Sequence, residues 1–153
     1  MNVEVIRSPR RRKTVQARRV NGVVRVTIPA TMTRAEEERW VAEMVRRLQR
    51  STAACGVDLE ERATALAERY ELPRPTSIRW VDNQEHQWGS CTPGDGTIRI
   101  SSRMATFPRW VLDYVIVHEL AHLVRTPHDA EFHALVDRYP LAERAHGFLI
   151  AKG

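Results

Sequence analysis

Lysine is nearly missing from this chain. Of 24 basic residues in 153, only Lys13 and Lys152 are not arginine. Cysteine is scarce too: Cys55 and Cys91 cannot form a disulfide framework, which points to a reducing compartment. Long hydrophobic runs are absent. The longest, around Val111–Val117, is broken by Asp113 and is far too short to span a bilayer. The opening MNVEVIRSPRRRK lacks the apolar segment of a secretory signal. There is no internal repeat, low-complexity tract or long linker. These gaps argue against a membrane span and a disulfide-stapled module. They lead us to expect a soluble, cytoplasmic, monomeric protein without a membrane partner.

What is present fits a globular domain. Hydrophobic residues make up 42% and charged residues 28%, enough apolar material for a core at this length. The net charge is +5. Four basic residues run together at Arg10–Lys13, and Arg18 and Arg19 follow. Such a patch can attract nucleic acid or acidic proteins, although a basic run alone also describes a solvated strand face.

Local patterns give an α+β order. Val15–Val20 and Val23–Ile28 flank Asn21-Gly22, a strong hairpin signal because both turn positions tolerate positive φ. Val3–Ile6 can add a strand. Thr33 and Glu36 have capping-box spacing, and Trp40, Val41, Met44, Val45 and Leu48 form one apolar helix face. A second helix is expected after Asp58, with Ala63, Leu66, Ala67 and Tyr70 inward, closed by Pro73 and Pro75. Strands follow near Ile78–Val81 and at Thr97–Ser101, separated by a turn-rich piece, WGSCTPGDG. A free edge of Thr97–Ser101 would suit an extended substrate. Pro108 suits the first turn of a long helix reaching about Arg125. Asp129 can cap a last helix containing Phe132, Leu135 and Val136. Trp40, Trp80, Trp88 and Trp110 are expected to anchor the core.

The helix from Pro108 carries His118-Glu119-Leu120-Ala121-His122. Residues at i and i+4 share a helix face, so two imidazoles can grip one metal ion from the same side. Glu119 projects about 100° away from His118, beside the metal, where it can take a proton from a bound water. This is the logic of the HExxH pattern. A catalytic zinc needs a third protein ligand and an open position. His128, past the break at Pro127, can return to the metal, with Asp129 holding it at a helix start. Glu131, His133 and Glu143 remain alternatives. The His122-to-His128 spacing equals that of metzincins, but Arg125 stands where that turn has glycine, and no methionine follows. An oxyanion donor is sought among Tyr139, Arg138 and His146, with Tyr139 the first choice. Asp113, Asp129 and Glu143 are possible partners for the second ring nitrogens of the ligands. Cys91 is expected as a buried structural thiol.

Trp88-Gly89-Ser90-Cys91, the strand with Ile98 and Ile100, Pro108, Asp113-Tyr114-Val115, His118–Leu123, His128 and Phe132 together resemble the YgjP-like metallopeptidases, relatives of the SprT-like proteases. The likeness is most specific over residues 86–140, and the arginine-rich hairpin and the helix near Trp40 share it. It implies a zincin-like fold, one zinc ion on His118, His122 and His128, Glu119 as general base, and a peptide or unfolded protein as substrate. Pro127-His128-Asp129 departs from the family's usual Asn-His-Ser. The expectation is therefore a single metallopeptidase domain over 1–153, with a strand and helix part at about 1–75 and a catalytic part at about 76–153. The rival readings are a DNA-associated protease using the basic hairpin and a non-catalytic zinc-stabilised binding module.

Overall fold

The computed structural model describes residues 2–84 and 86–152, with Thr52 and Cys55 described by their backbone alone. It is a mixed α+β structure of two small three-stranded sheets and five α-helices among the described residues. The chain forms two compact units, residues 1–52 and 53–153.

The first unit holds strands β1 (Asn2–Ser8), β2 (Gln16–Val20) and β3 (Val23–Pro29), followed by helix α1 (Arg34–Cys55), whose end runs into the second unit. Asn21 and Gly22 both take positive φ, 50° and 79°, so the β2–β3 hairpin closes as its sequence predicts. β3 is central: β2 pairs with it antiparallel, and β1 pairs with it parallel. Val24, Val26 and Ile28 alternate onto one face and are fully buried, with Val41, Val45 and Leu48 of α1 packed against them. The Thr33 hydroxyl accepts from the Glu36 amide at 3.2 Å, the expected cap of α1.

The second unit is organised around α3 (Arg109–His122). Of residues 111–121 only His118 is not buried. Helix α2 (Leu59–Arg69) starts on its Asp58 cap and packs on α3 through Leu59, Ala63, Leu66 and Ala67. Strands β4 (Ser77–Val81), β5 (Gly89–Thr92) and β6 (Thr97–Ser101) form a sheet in the order β4-β6-β5. A 3₁₀ turn (Ser102–Thr106) leads from it to α3, and α4 (Ala130–Val136) and α5 (Ala142–Lys152) complete the unit. Ile98 and Ile100 of β6 are fully buried in the core.

Five sequence expectations change, the first being that the helix capped by Asp129 is not the last: α5 follows it. β6 pairs on both sides, so it has no free edge; the free edge of this sheet beside α3 belongs to β5. β5 was hidden in the turn-rich piece because Gly-Ser-Cys-Thr shows no apolar alternation. α3 ends at His122, not near Arg125. The Leu123 and Val124 amides turn to carbonyls three residues back, tightening the last turn. The four tryptophans are half-buried, and Trp80, Trp88 and Trp110 pack against the core from its rim.

Asp113, buried on α3, receives two short hydrogen bonds from the Arg62 guanidinium of α2, at 2.6 and 2.5 Å. This fork pairing answers the desolvation of a carboxylate on a core helix and fixes α2 against α3. Asp113→Ala is expected to lower unfolding free energy by about 2 kcal/mol, the range for a charge-assisted hydrogen bond. Urea titration measures it, and an unchanged midpoint would show that the pair carries no net stability.

Candidate metal centre

His118 and His122 lie one turn apart on α3, and their rings face the same side. The tightened turn after His122 reverses the chain and returns His128 to them. One nitrogen of each of His118, His122 and His128 lies within 4.8 Å of the others. The Nε2 atoms of His122 and His128 are 3.1 Å apart. Ligand nitrogens around a tetrahedral ion with bonds of about 2.0–2.1 Å stand about 3.3 Å apart, so the donor set fits a metal of zinc's size. Among the described residues, this is the one His, Cys, Asp and Glu group with that convergence.

The return of His128 is built by a short chain of contacts. The Arg125 carbonyl lies 3.2 Å from Nδ1 of His122, which fixes that nitrogen as the protonated donor and leaves Nε2 free to bind. The Arg125 guanidinium donates to Asp129 from Nε at 2.9 Å and from Nη2 at 2.5 Å. Asp129 in turn accepts from the Phe132 amide at 3.1 Å, capping α4. Arg125, and then the Phe132 amide, hold the Asp129 carboxyl down at about 2. It is therefore ionised throughout the range in which imidazoles lose their protons.

Phe132 is the floor of the site. Its ring stacks on His122 at 4.3 Å and meets the edges of His118 and His128, each at 4.9 Å between centroids. Helical periodicity marked Phe132 as a core residue and gave no sign that it touches all three rings. Burial, helped by the neighbouring His118 and His128, shifts His122 below the usual imidazole range against the opposing pull of the Glu119 carboxylate.

Glu119 is buried beside these rings, with Oε1 3.2 Å from Nδ1 of His118. Its methylene stem lies against β5. A Cβ added to Gly89 would stand 3.3 Å from Cγ of Glu119 and 3.0 Å from a Val115 methyl. Glycine thus lets β5 run hard against α3. The resulting cavity of about 500 Å³ is lined by Trp88, Gly89, Cys91, Tyr114, Glu119 and the three histidines, among others. A family model for the YgjP-like metallopeptidase domain matches residues 12–146.

The chain belongs to the YgjP-like metallopeptidase family. The match reaches from the arginine run before β2 into α5, so it includes most of both units. No curated protein matches the sequence. Two crystal structures share the fold. The metallopeptidase zymogen abylysin of Pyrococcus abyssi is 19% identical at a TM-score of 0.56, covering 62% of this chain and 94% of its own. The metallopeptidase zymogen jannalysin of Methanocaldococcus jannaschii is 18% identical at a TM-score of 0.53, covering 63% of this chain and 97% of its own.

Other expected residues of this metallopeptidase fall elsewhere. Tyr139 does not join the histidines. Its hydroxyl donates to the Trp110 carbonyl at 2.7 Å, and it lines a separate cleft with Arg62 and Asp113. Arg138 donates to the carbonyls of Tyr70 and Glu71. His146 sits nearer, with Nδ1 3.3 Å from the hydroxyl of Tyr114. Tyr114 lines the cavity one turn before His118, a spacing visible in the sequence but not used there. Glu131, His133 and Glu143 are exposed and outside the cluster. Burial pushes the Cys91 thiol up to about 11, so it is protonated at neutral pH and a weak ligand.

Asp129 touches no imidazole, yet the loop carrying His128 closes through it. Asp129→Ala is expected to weaken metal binding by about 10–100-fold, the usual effect of losing a residue that orients ligands. Competition against a chromophoric chelator measures this. Unchanged affinity would mean that His128 is positioned without the Arg125–Asp129 contact.

Proposed function

We propose that the chain is a zinc-dependent peptidase in which His118, His122 and His128 hold one zinc ion and Glu119 is the general base. The observation that carries this reading is the convergence of three imidazole nitrogens beside a buried carboxylate at one cavity wall. Three nitrogen donors favour zinc over the hard divalent ions. Zinc bound there would supply Lewis acidity towards the scissile carbonyl and bring the pKa of water towards neutrality.

The protein's own groups do the rest. Glu119, held between His118 and β5, takes the proton from the attacking water and passes it to the leaving amine. Burial raises the Tyr114 hydroxyl above its ordinary range, with Asp137 and Glu119 adding to the shift, so it stays a neutral donor. From the cavity wall it can donate to the oxyanion, and His146 steadies it. The open edge of β5 offers backbone groups to an extended peptide, a mode that depends little on sequence. The substrate class is therefore an unfolded or extended segment. Among the described residues no helix is long and apolar enough to cross a membrane.

Two measurements test the reading. Zinc-loaded protein should cleave a mixed library of unstructured peptides, and Glu119→Gln should abolish cleavage while still binding zinc. Equal silence of both proteins with one zinc bound would favour the non-catalytic module. Tyr114→Phe should lower kcat by about 100-fold with little change in KM, the signature of a donor used in the transition state. An unchanged kcat would remove Tyr114 from the chemistry.

A further inference from the structure

Charge is divided unevenly along the chain. Residues 1–52 hold thirteen basic and five acidic side chains, a net of +8. Residues 53–153 hold eleven and fourteen, a net of −3. From Val5 to Ala35 there are nine basic residues and no acidic one.

Four of those nine have partners. Arg7 donates to the carbonyls of Ala30 and Met32 and pairs with Glu37. Arg11 donates to Thr14 and Gln16, Arg25 pairs with Glu4, and Arg34 pairs with Glu38. The other five, Arg10, Arg12, Lys13, Arg18 and Arg19, are exposed, and their side chains have no partner among the described residues.

Two of the five lie on an edge strand of the first sheet, and the other three lie in the loop that joins β1 to it. β2 is an edge strand, and its successive residues Arg18 and Arg19 point to opposite faces, so cationic groups flank the edge on both sides. Arg10, Arg12 and Lys13 lie in the loop that feeds it. Arg18 stands directly opposite Arg25. Like charges so placed destabilise a sheet, and Glu4 is registered with Arg25 from the far side, on β1. The fold thus bears repulsion that no internal group relieves at Arg18.

We propose that this edge binds the phosphodiester backbone of nucleic acid without reading base sequence. Guanidinium forks match phosphate oxygens in geometry as well as charge. A folded protein partner or a membrane surface would call for an apolar centre. The exposed large hydrophobics of this unit, Val3, Val5 and Ile6, lie on β1, at the opposite edge. This edge offers no aromatic platform for base stacking, because no aromatic residue precedes Trp40. What remains is a line of unneutralised cations, suited to a regular polyanion. The inference is independent of the peptidase reading, since none of the five residues belongs to the unit that carries the histidines.

Fluorescence anisotropy with labelled single-stranded DNA and RNA tests it, using mixed-sequence strands of about 20 nucleotides that exceed one site. Five phosphate contacts predict a slope of about −3.5 for log affinity against log salt, hence about a 100-fold loss from 50 to 200 mM salt. Glutamine at all five positions should abolish that dependence and reduce low-salt affinity at least as much, with an unchanged circular dichroism spectrum. Lysine at the four arginines should preserve the slope. Glu119→Gln should bind as the wild type does, which separates this result from any failure of catalysis. The DNA-to-RNA affinity ratio identifies which polymer is preferred. Absence of binding at 50 mM salt, binding that survives the glutamine variant, or binding confined to one base composition would each overturn the proposal. So would tighter capture by polyglutamate or by anionic phosphatidylserine vesicles than by either oligonucleotide.

Discussion

A helix that is buried nearly all round must still present polar chemistry, and the second unit is shaped by that conflict. α3 sits among α2, α4, α5 and the β5–β6 edge of the sheet, and an unpaired charge there would cost several kcal/mol. Several polar side chains on α3 are answered from different neighbours, while Glu119 meets His118 of the same helix. Asp113 is met by Arg62 from α2. Tyr114 is met by His146 from α5. His118 and His122 open towards the loop that returns His128. The elements packed around α3 both complete its core and partner its polar groups.

The same economy governs the loop after His122. Six residues take the chain out of a helix, around a turn and back. Its closure uses a backbone carbonyl, a guanidinium and a carboxylate, and none of these is a candidate metal ligand. Arg125, the residue that breaks the metzincin pattern, is the member that reaches both ways, by its carbonyl to His122 and by its side chain to Asp129. Phe132 then supports all three rings from below. An apolar floor supports the rings without competing for their nitrogens.

Much of this was legible in the sequence where the signal is local. Helical spacing placed His118 and His122 on one face, and Asn21-Gly22 gave the hairpin. Thr33, Asp58 and Asp129 marked three helix starts. What was hidden depends on contacts between distant residues. β5 has no alternation because its residues were chosen for closeness to α3, and Gly89 shows why. α5 carried no strong cap signal and went unread. The pairing of β6 on both sides could not be foreseen while β5 was taken for a turn. Residue type alone points to Tyr139 as a donor, but the tertiary structure gives its hydroxyl to the Trp110 carbonyl. The basic run is visible in the sequence; which of its members have internal partners, as Arg11 does, follows only from the structure.

Gly89 has a reach beyond its own turn of chain. The strand with the open edge and the buried carboxylate touch each other there with no side chain between them. Displacement of the strand by an incoming peptide would be felt at Glu119 directly, without any relay. A catalyst built this way has little freedom to retune what it grips without also retuning how fast it cuts. Substrate preference could be varied more freely at the far wall of the cleft, where the backbone does not touch Glu119.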